Sequence, residues 1–211
     1  MADVKKSCTD TNNLYEDVEF CPGQVSLPGV RDHFYFIRKK DITKWPKLPL
    51  NSAESLEQVA VYVGDFTLAA DAKFHRVDLV PSESEPKSEQ AGSYGSFHFT
   101  NTITLVLPGT AEKVTGLITE LNNDNVVILV PQRDGKCRVF GSAGFDVSVK
   151  PSQEWGKGSS DANTTTIEVS CEDRAATPFY PGKIATDGAT ISGETDEEVT
   201  EAVASRVAIK E

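Results

Sequence analysis

A mainly β fold follows from three features of this sequence: an antiparallel β-sandwich or barrel with one packed α-helix and extended arms at both ends. First, Phe97, Phe99, Ile103, Leu105 and Leu107 fall on alternate positions, with Asn101 the single polar interruption, which is the period of a strand with one buried face. Second, Val126, Val127, Ile128, Leu129 and Val130 form a continuous apolar run, and Asp134-Gly135 follows with the residues of a two-residue hairpin turn. Third, Phe145, Val147 and Val149 alternate again, as do Ile167, Val169 and Cys171.

Residues 1–50 read as an arm or irregular lobe holding a short strand. Pro22-Gly23, Pro28-Gly29, Pro46 and Pro49 punctuate it, and proline and glycine at this density favour turns and an extended path. Between them His33-Phe34-Tyr35-Phe36-Ile37 is aromatic and branched, hence a strand, with the basic cluster Arg38-Lys39-Lys40 behind it.

The sandwich core is expected over residues 51–184. It opens with a strand at 59–63, a Gly64-Asp65 turn, Phe66-Thr67-Leu68, and an alternating run from Phe74 to Val80. Residues 81–95 are acidic, serine-rich and without apolar periodicity, which predicts a mobile loop that docks on a partner. After the strand at 97–107, Pro108-Gly109 stops the chain and a helix is predicted at about 111–122 with Thr110 as N-cap. Val114, Leu117, Ile118 and Leu121 form its apolar face, and Gly116 costs it about 1 kcal/mol relative to alanine. Cys137 and Val139, with Phe140 as a further candidate, return the chain after the hairpin turn. Gly156-Lys157-Gly158-Ser159-Ser160 reads as a flexible hairpin tip beside Trp155.

Residues 185–211 read as an acidic arm able to form a helix. Seven acids face only Arg206 and Lys210 from position 187 onward. Thr195 and Glu198 have the spacing of a capping box, and Val199, Val203 and Val207 share one narrow stripe. A helix so weakly amphipathic needs a partner surface to persist.

The net charge of -11, from 32 acids and 21 bases, argues against nucleic-acid binding, because phosphate contacts need Lys and Arg. The same charge suits a surface past which DNA slides without sticking. The four cysteines (Cys8, Cys21, Cys137, Cys171) contain no C-x-x-C pair, and His33, His75 and His98 are scattered, so no metal site is expected. Cys137 and Cys171 read as buried small hydrophobes in a chain made in a reducing cytoplasm. A Cys8–Cys21 disulfide stays open as the lesser alternative. The polar start MADVKKSCTDTNN is no secretory leader, and no run approaches the ~18 apolar residues of a membrane span.

No catalytic or cofactor-binding residue is assigned. The 156–160 loop lacks the glycine spacing of a phosphate loop, and Gly92-Ser93-Tyr94-Gly95-Ser96 sits before a strand with no His and Asp nearby. His98 falls opposite Phe97 and Phe99, as a surface or interface residue would. Asp71 and Asp78 make a glycosidase pair only if they face one cleft. Asn163-Thr164-Thr165 matches a glycosylation sequon in a chain without a secretion signal.

The series of strand (97–107), helix (111–123), buried strand (125–130), Asp134-Gly135 turn and strand (137–141) resembles the core of phage tail-tube proteins. The later strands at 145–150 and 164–171, with Pro178-Phe179-Tyr180, look like the end of that domain. The resemblance covers about residues 59–181. Cys21-Pro22-Gly23, Pro28-Gly29-Val30-Arg31 and Asp41-Ile42-Thr43-Lys44-Trp45-Pro46 are similar to virion proteins of phages infecting Bacteroides-type bacteria. The resemblance implies two packed antiparallel sheets with a helix against them. It also implies a homo-oligomeric ring built by sheet-edge and arm contacts, located in a virion made in a bacterial cytoplasm. Its expected partners are other tail, neck or capsid proteins, with only transient contact with DNA. The N-terminal fifty residues and the acidic tail depart from the simplest tube subunit, which leaves a neck or head–tail ring and a capsid-decorating protein as alternatives. From a different class, a carbohydrate-binding or adhesive β-sandwich would present Trp45, Trp155 and Tyr180 on one surface, where packing in a core is the competing role for both tryptophans. A hydrolase with an unrecognised site is the remaining class.

Overall fold

The computed structural model describes residues 14–199 except 20, 24, 51, 159 and 160. Residues up to 29 have no strand or helix among those described, and regular structure begins with the strand β1 (His33–Arg38). A 3-10 turn at Lys39–Asp41 leads to β2 (Ile42–Lys44), then to a short helix α1 (Leu56–Ala60). Next come β3 (Thr67–Leu68), β4 (His75–Asp78), β5 (Glu85–Ala91) and the long β6 (His98–Pro108). The helix α2 (Glu112–Leu121) separates β6 from β7 (Val126–Pro131) and β8 (Cys137–Phe140). The chain then forms β9 (Val147–Glu154), β10 (Thr164–Asp173), β11 (Phe179–Tyr180), β12 (Lys183–Ala185) and β13 (Thr190–Ser192).

These strands build two antiparallel sheets, as the period-two runs require. One has the order β11-β8-β7-β1-β4 and the other β5-β6-β10-β9. Their facing sides enclose a core in which Phe34, Ile128 and Phe140 meet Ile103, Leu105, Ile167 and Val169. Helix α2 closes that core with Val114, Leu117, Ile118 and the buried Leu121. The first sheet also has a buried outer face. There Tyr35, Ile37, Leu129 and Val139 pack under Phe66, Phe74, Tyr180 and Ile184, beneath the ribbons β2-β3 and β12-β13. Because both faces are covered, every residue of β7 is buried, which is why that strand shows no alternation. Asn101, the polar interruption of β6, is buried and fully used. Its Nδ2 donates to Ala175 O (3.0 Å) and its Oδ1 accepts from Thr177 N (3.1 Å).

Several expectations are corrected here. The strand expected at 33–37 forms as β1, but residues 30–44 are neither an arm nor an irregular lobe, because β1 lies between β7 and β4 with Phe34, Tyr35 and Ile37 buried. The run at 59–63 is not a strand. Ser55 Oγ accepts from Gln58 N and starts α1, after which only isolated bridges at Val61 and Val63 remain. Segment 81–95 is not a loop, because β5 pairs with β6 from Glu85–Thr104 to Ala91–His98. As an edge strand exposed on both faces it needs no apolar alternation, so its sequence looks like that of a loop. Thr110 does not cap α2. Ala111 occupies the N-cap without a side-chain bond, while Thr110 O accepts from Thr115 Oγ1. The β7–β8 turn holds three residues, 133–135, and Gly135 alone is left-handed (φ +96°). Residues 185–199 are not an arm either, since β13 pairs with β12 and the Asp196 side chain is 1% exposed. Glu198 bridges Ile191, so Thr195 and Glu198 form no capping box, and Val203 and Val207 lie outside the described residues. Cys8 also lies outside them.

Candidate functional site

Arg31, His33 and Tyr35 alternate along β1 and its lead-in, so their side chains emerge on one face. That face carries them to Asp196, in the turn after β13, whose own φ is +57°. Arg31 Nη1 donates to Asp196 Oδ2 at 2.8 Å, and the Tyr35 hydroxyl donates to Oδ1 at 2.9 Å. His33 Nε2 lies 3.2 Å from the same Oδ1, and its Nδ1 lies 2.8 Å from Asp32 Oδ1. The Asp196 side chain is 1% exposed and that of His33 8%. Glycine is needed at 135 because a Cβ there would lie 2.5 Å from Thr195 O, so the turn after β7 closes directly on the strap carrying Asp196.

Burial raises the Asp196 pKa, but the bonds from His33, Tyr35 and Arg31 outweigh it and hold the carboxyl below its ordinary 3.8. Burial also opposes the charged form of His33, and the repulsion of Arg76 adds to it. The carboxylates of Asp196 and Asp32 more than offset both, raising the ring above its ordinary 6.5. A carboxylate at each ring nitrogen favours the imidazolium form. Burial and then the Asp196 acceptor keep Tyr35 protonated. Asp196 therefore has both oxygens engaged, and the cluster acts as a clasp fastening the C-terminal ribbon to the first sheet.

The pH dependence follows from the signs. His33 has a raised folded pKa, so its contribution is complete below about 6.5 and is lost as pH rises through the folded value. Asp196 has a lowered one, so its contribution is complete above about 3.8 and is lost as pH falls through the folded value. The clasp is strongest between these limits. Urea unfolding is expected to show a higher midpoint at pH 5.5 than at pH 8.5, and His33→Phe should abolish most of that difference. An equal pH dependence in the variant would remove His33 as its source.

Beside the clasp lies an open cleft of about 1010 Å³ that wraps the edge strand β4. On one side it is walled by Val77, Val114 and Leu117, and on the other by Arg31, Arg76 and Asp196. Strand β4 pairs with β1 alone, and its outer edge is bounded at both ends, where Phe74 N donates to Ala185 O and Val80 N to Val106 O.

The other sequence features do not converge on this cleft. Gly156-Lys157-Gly158 is a turn whose Lys157 and Gly158 N–H groups donate to Asp161 Oδ2 at 2.7 and 2.9 Å, inside the β9–β10 hairpin. Tyr94 is 97% exposed at the β5–β6 turn, and His98 Nδ1 sits 3.3 Å from Ser96 O. Asp78 lines the cleft and pairs with Arg76 (3.3 Å), whereas Asp71 stands apart in a left-handed turn. Thr165 of the sequon is buried and donates to Gly109 O. Tyr180 is fully buried and Trp45 packs edge-on against Phe66, while Trp155 is 78% exposed, so the three form no common platform. Cys137 and Cys171 are buried as expected, and burial pushes the Cys171 thiol up to about 11. Among the described residues no group of His, Cys, Asp or Glu is placed to hold a metal ion, and no helix is long and apolar enough to cross a membrane. The clasp had a partial signal in the sequence, the period-two triplet Arg31, His33, Tyr35. Asp196, 161 residues beyond Tyr35, had none.

Set against known proteins, the chain matches no protein-family model, no curated protein and no solved structure.

Proposed function

We propose that this chain is a non-enzymatic structural subunit of a virion, a ring-forming protein of the phage tail-tube type that joins copies of itself through sheet edges and an arm. One observation carries the reading. Residues 14–29 present large apolar side chains to solvent, with Val18 87%, Val25 81% and Leu27 56% exposed. Apolar surface left out of the protomer's core is surface available to a neighbour. Two antiparallel sheets with a helix against them agree with the architecture that the resemblance implies. The charge of -11 suits a lumen that DNA crosses without adhesion. A neck or head–tail ring or a capsid-decorating subunit would use the same surfaces at another place in the virion. The carbohydrate-binding reading has less support, because its three aromatics are not gathered on one surface.

Mass photometry of the purified chain at rising concentration, with negative-stain imaging of large species, is the direct test. Rings or stacked tubes are expected. A strict monomer at every concentration would overturn the reading.

A further inference from the structure

We propose that a pocket between the two sheets, built around Arg138, binds a small monocarboxylate with an apolar body. This inference does not depend on the assembly reading above. The pocket has a volume of about 270 Å³ and is lined by β5 of one sheet and by β7 and β8 of the other. Val30, Pro86, Val130 and Phe140 give it apolar walls. Its polar end is one bonded group, in which Arg138 Nη1 donates to Thr177 O at 2.7 Å and Thr177 Oγ1 lies 2.7 Å from Ser88 Oγ.

The period of β8 explains why a charge sits here. Cys137 and Val139 face the outer core of the first sheet, so Arg138 shares with Phe140 the face toward the second sheet. A cation drawn toward a core needs a counterion, yet Arg138 makes no ion pair among the described residues. Burial disfavours its charge, and Asp134 offsets this only through space, its Oδ1 accepting instead from Lys136 N. No Asp or Glu lines the pocket, in a chain that carries 32 of them. Lys87, the other cation on the wall, is already held by Glu89 at 2.7 Å.

The guanidinium is also fixed before any ligand arrives. Its carbon lies 3.9 Å from the centre of the Phe179 ring, and the bond to Thr177 O sets its rotation. Its other N–H groups have no protein acceptor among the described residues. A planar fork held in this way matches the two oxygens of a carboxylate, and prior ordering lowers the cost of binding. Of the Ser88 and Thr177 hydroxyls one donates to the other, so one further proton remains to give. A single cation among apolar walls suits one negative charge on an apolar body, whereas a phosphate calls for more donors. The volume admits one aromatic ring or a short chain.

The test dialyses the full chain to equilibrium against carbon-14 benzoate at neutral pH, a readout indifferent to the state of assembly. Saturable binding of one benzoate per chain is expected, displaced by unlabelled hexanoate but not by benzamide, its uncharged counterpart. Arg138→Gln should weaken that binding about tenfold or more, because it removes the charge-assisted pair. Ala176→Trp, at an exposed residue of the lining, should do the same by filling the pocket. That variant leaves Arg138 and its bonds in place, so it reports on the site even where Arg138→Gln does not fold by circular dichroism. Binding that does not saturate, or that a folded Arg138→Gln or Ala176→Trp leaves unchanged, would overturn the site. Displacement by benzamide or inorganic phosphate as readily as by hexanoate would overturn the carboxylate assignment.

Discussion

Asp196→Ala is expected to lower the unfolding free energy by about 3 kcal/mol, because it removes the anion from a buried ion pair and leaves its partners behind. The cost lies in what remains. His33 is buried and loses the carboxylate at Nε2, the Tyr35 hydroxyl loses Asp196 and keeps only His33 Nε2 at 3.0 Å, and Arg31 loses a 2.8 Å ion pair. A buried donor without a partner costs about 1–3 kcal/mol, while Arg31, one-third exposed, recovers part of its hydration. Asp196→Asn should cost less, since its amide oxygen still accepts one bond. Urea unfolding at pH 6 measures both variants. A loss under about 0.5 kcal/mol for alanine, the size of an ordinary surface substitution, would show that the C-terminal ribbon is not fastened by this clasp.

Phe34→Ala carries the larger penalty, about 3–5 kcal/mol for a large aromatic truncated in a closed core. Phe34 is 1% exposed, the second residue of β1, and packs in the core between the two sheets. Domains are stable by only about 5–15 kcal/mol, so this variant should unfold at a much lower urea concentration. Tyr94→Ala, at a side chain 97% exposed, is the matched control and should change stability by less than about 0.5 kcal/mol. Equal effects of the two substitutions would mean that β1 is not an interior strand of its sheet.

Both substitutions fall where a reading of the sequence places arms, and the reason is physical. Composition and proline spacing around β1 report how the backbone travels, yet say nothing of which strands flank it. His33 to Ile37 is legible as a strand, while its seat between β7 and β4 depends on partners about 40 and 90 residues away. The C-terminal ribbon reads as an acidic tail because its strands are three residues each and its chief anchor is one carboxylate. Strand β5 is invisible for a different reason. Its backbone pairs with β6 through seven positions while its side chains stay in water, so no apolar pattern marks it. The cleft shares this property, since its walls come from α2, β4 and the strap of Asp196, which meet only after folding.

The chain's own periodicity therefore suffices for the mainly β class, the strands β1, β4, β6, β7, β8, β9 and β10, the helix α2 and the burial of Cys137 and Cys171. Each of these is written in local periodicity, because a side chain's face follows from its position along a strand or helix. The order of strands in each sheet, the second core beyond the first sheet and the joining of Asp196 to Arg31, His33 and Tyr35 are settled by long-range pairing instead. Those depend on which distant backbone finds an unpaired edge and which buried charge finds its partner, and neither leaves a mark in neighbouring residues.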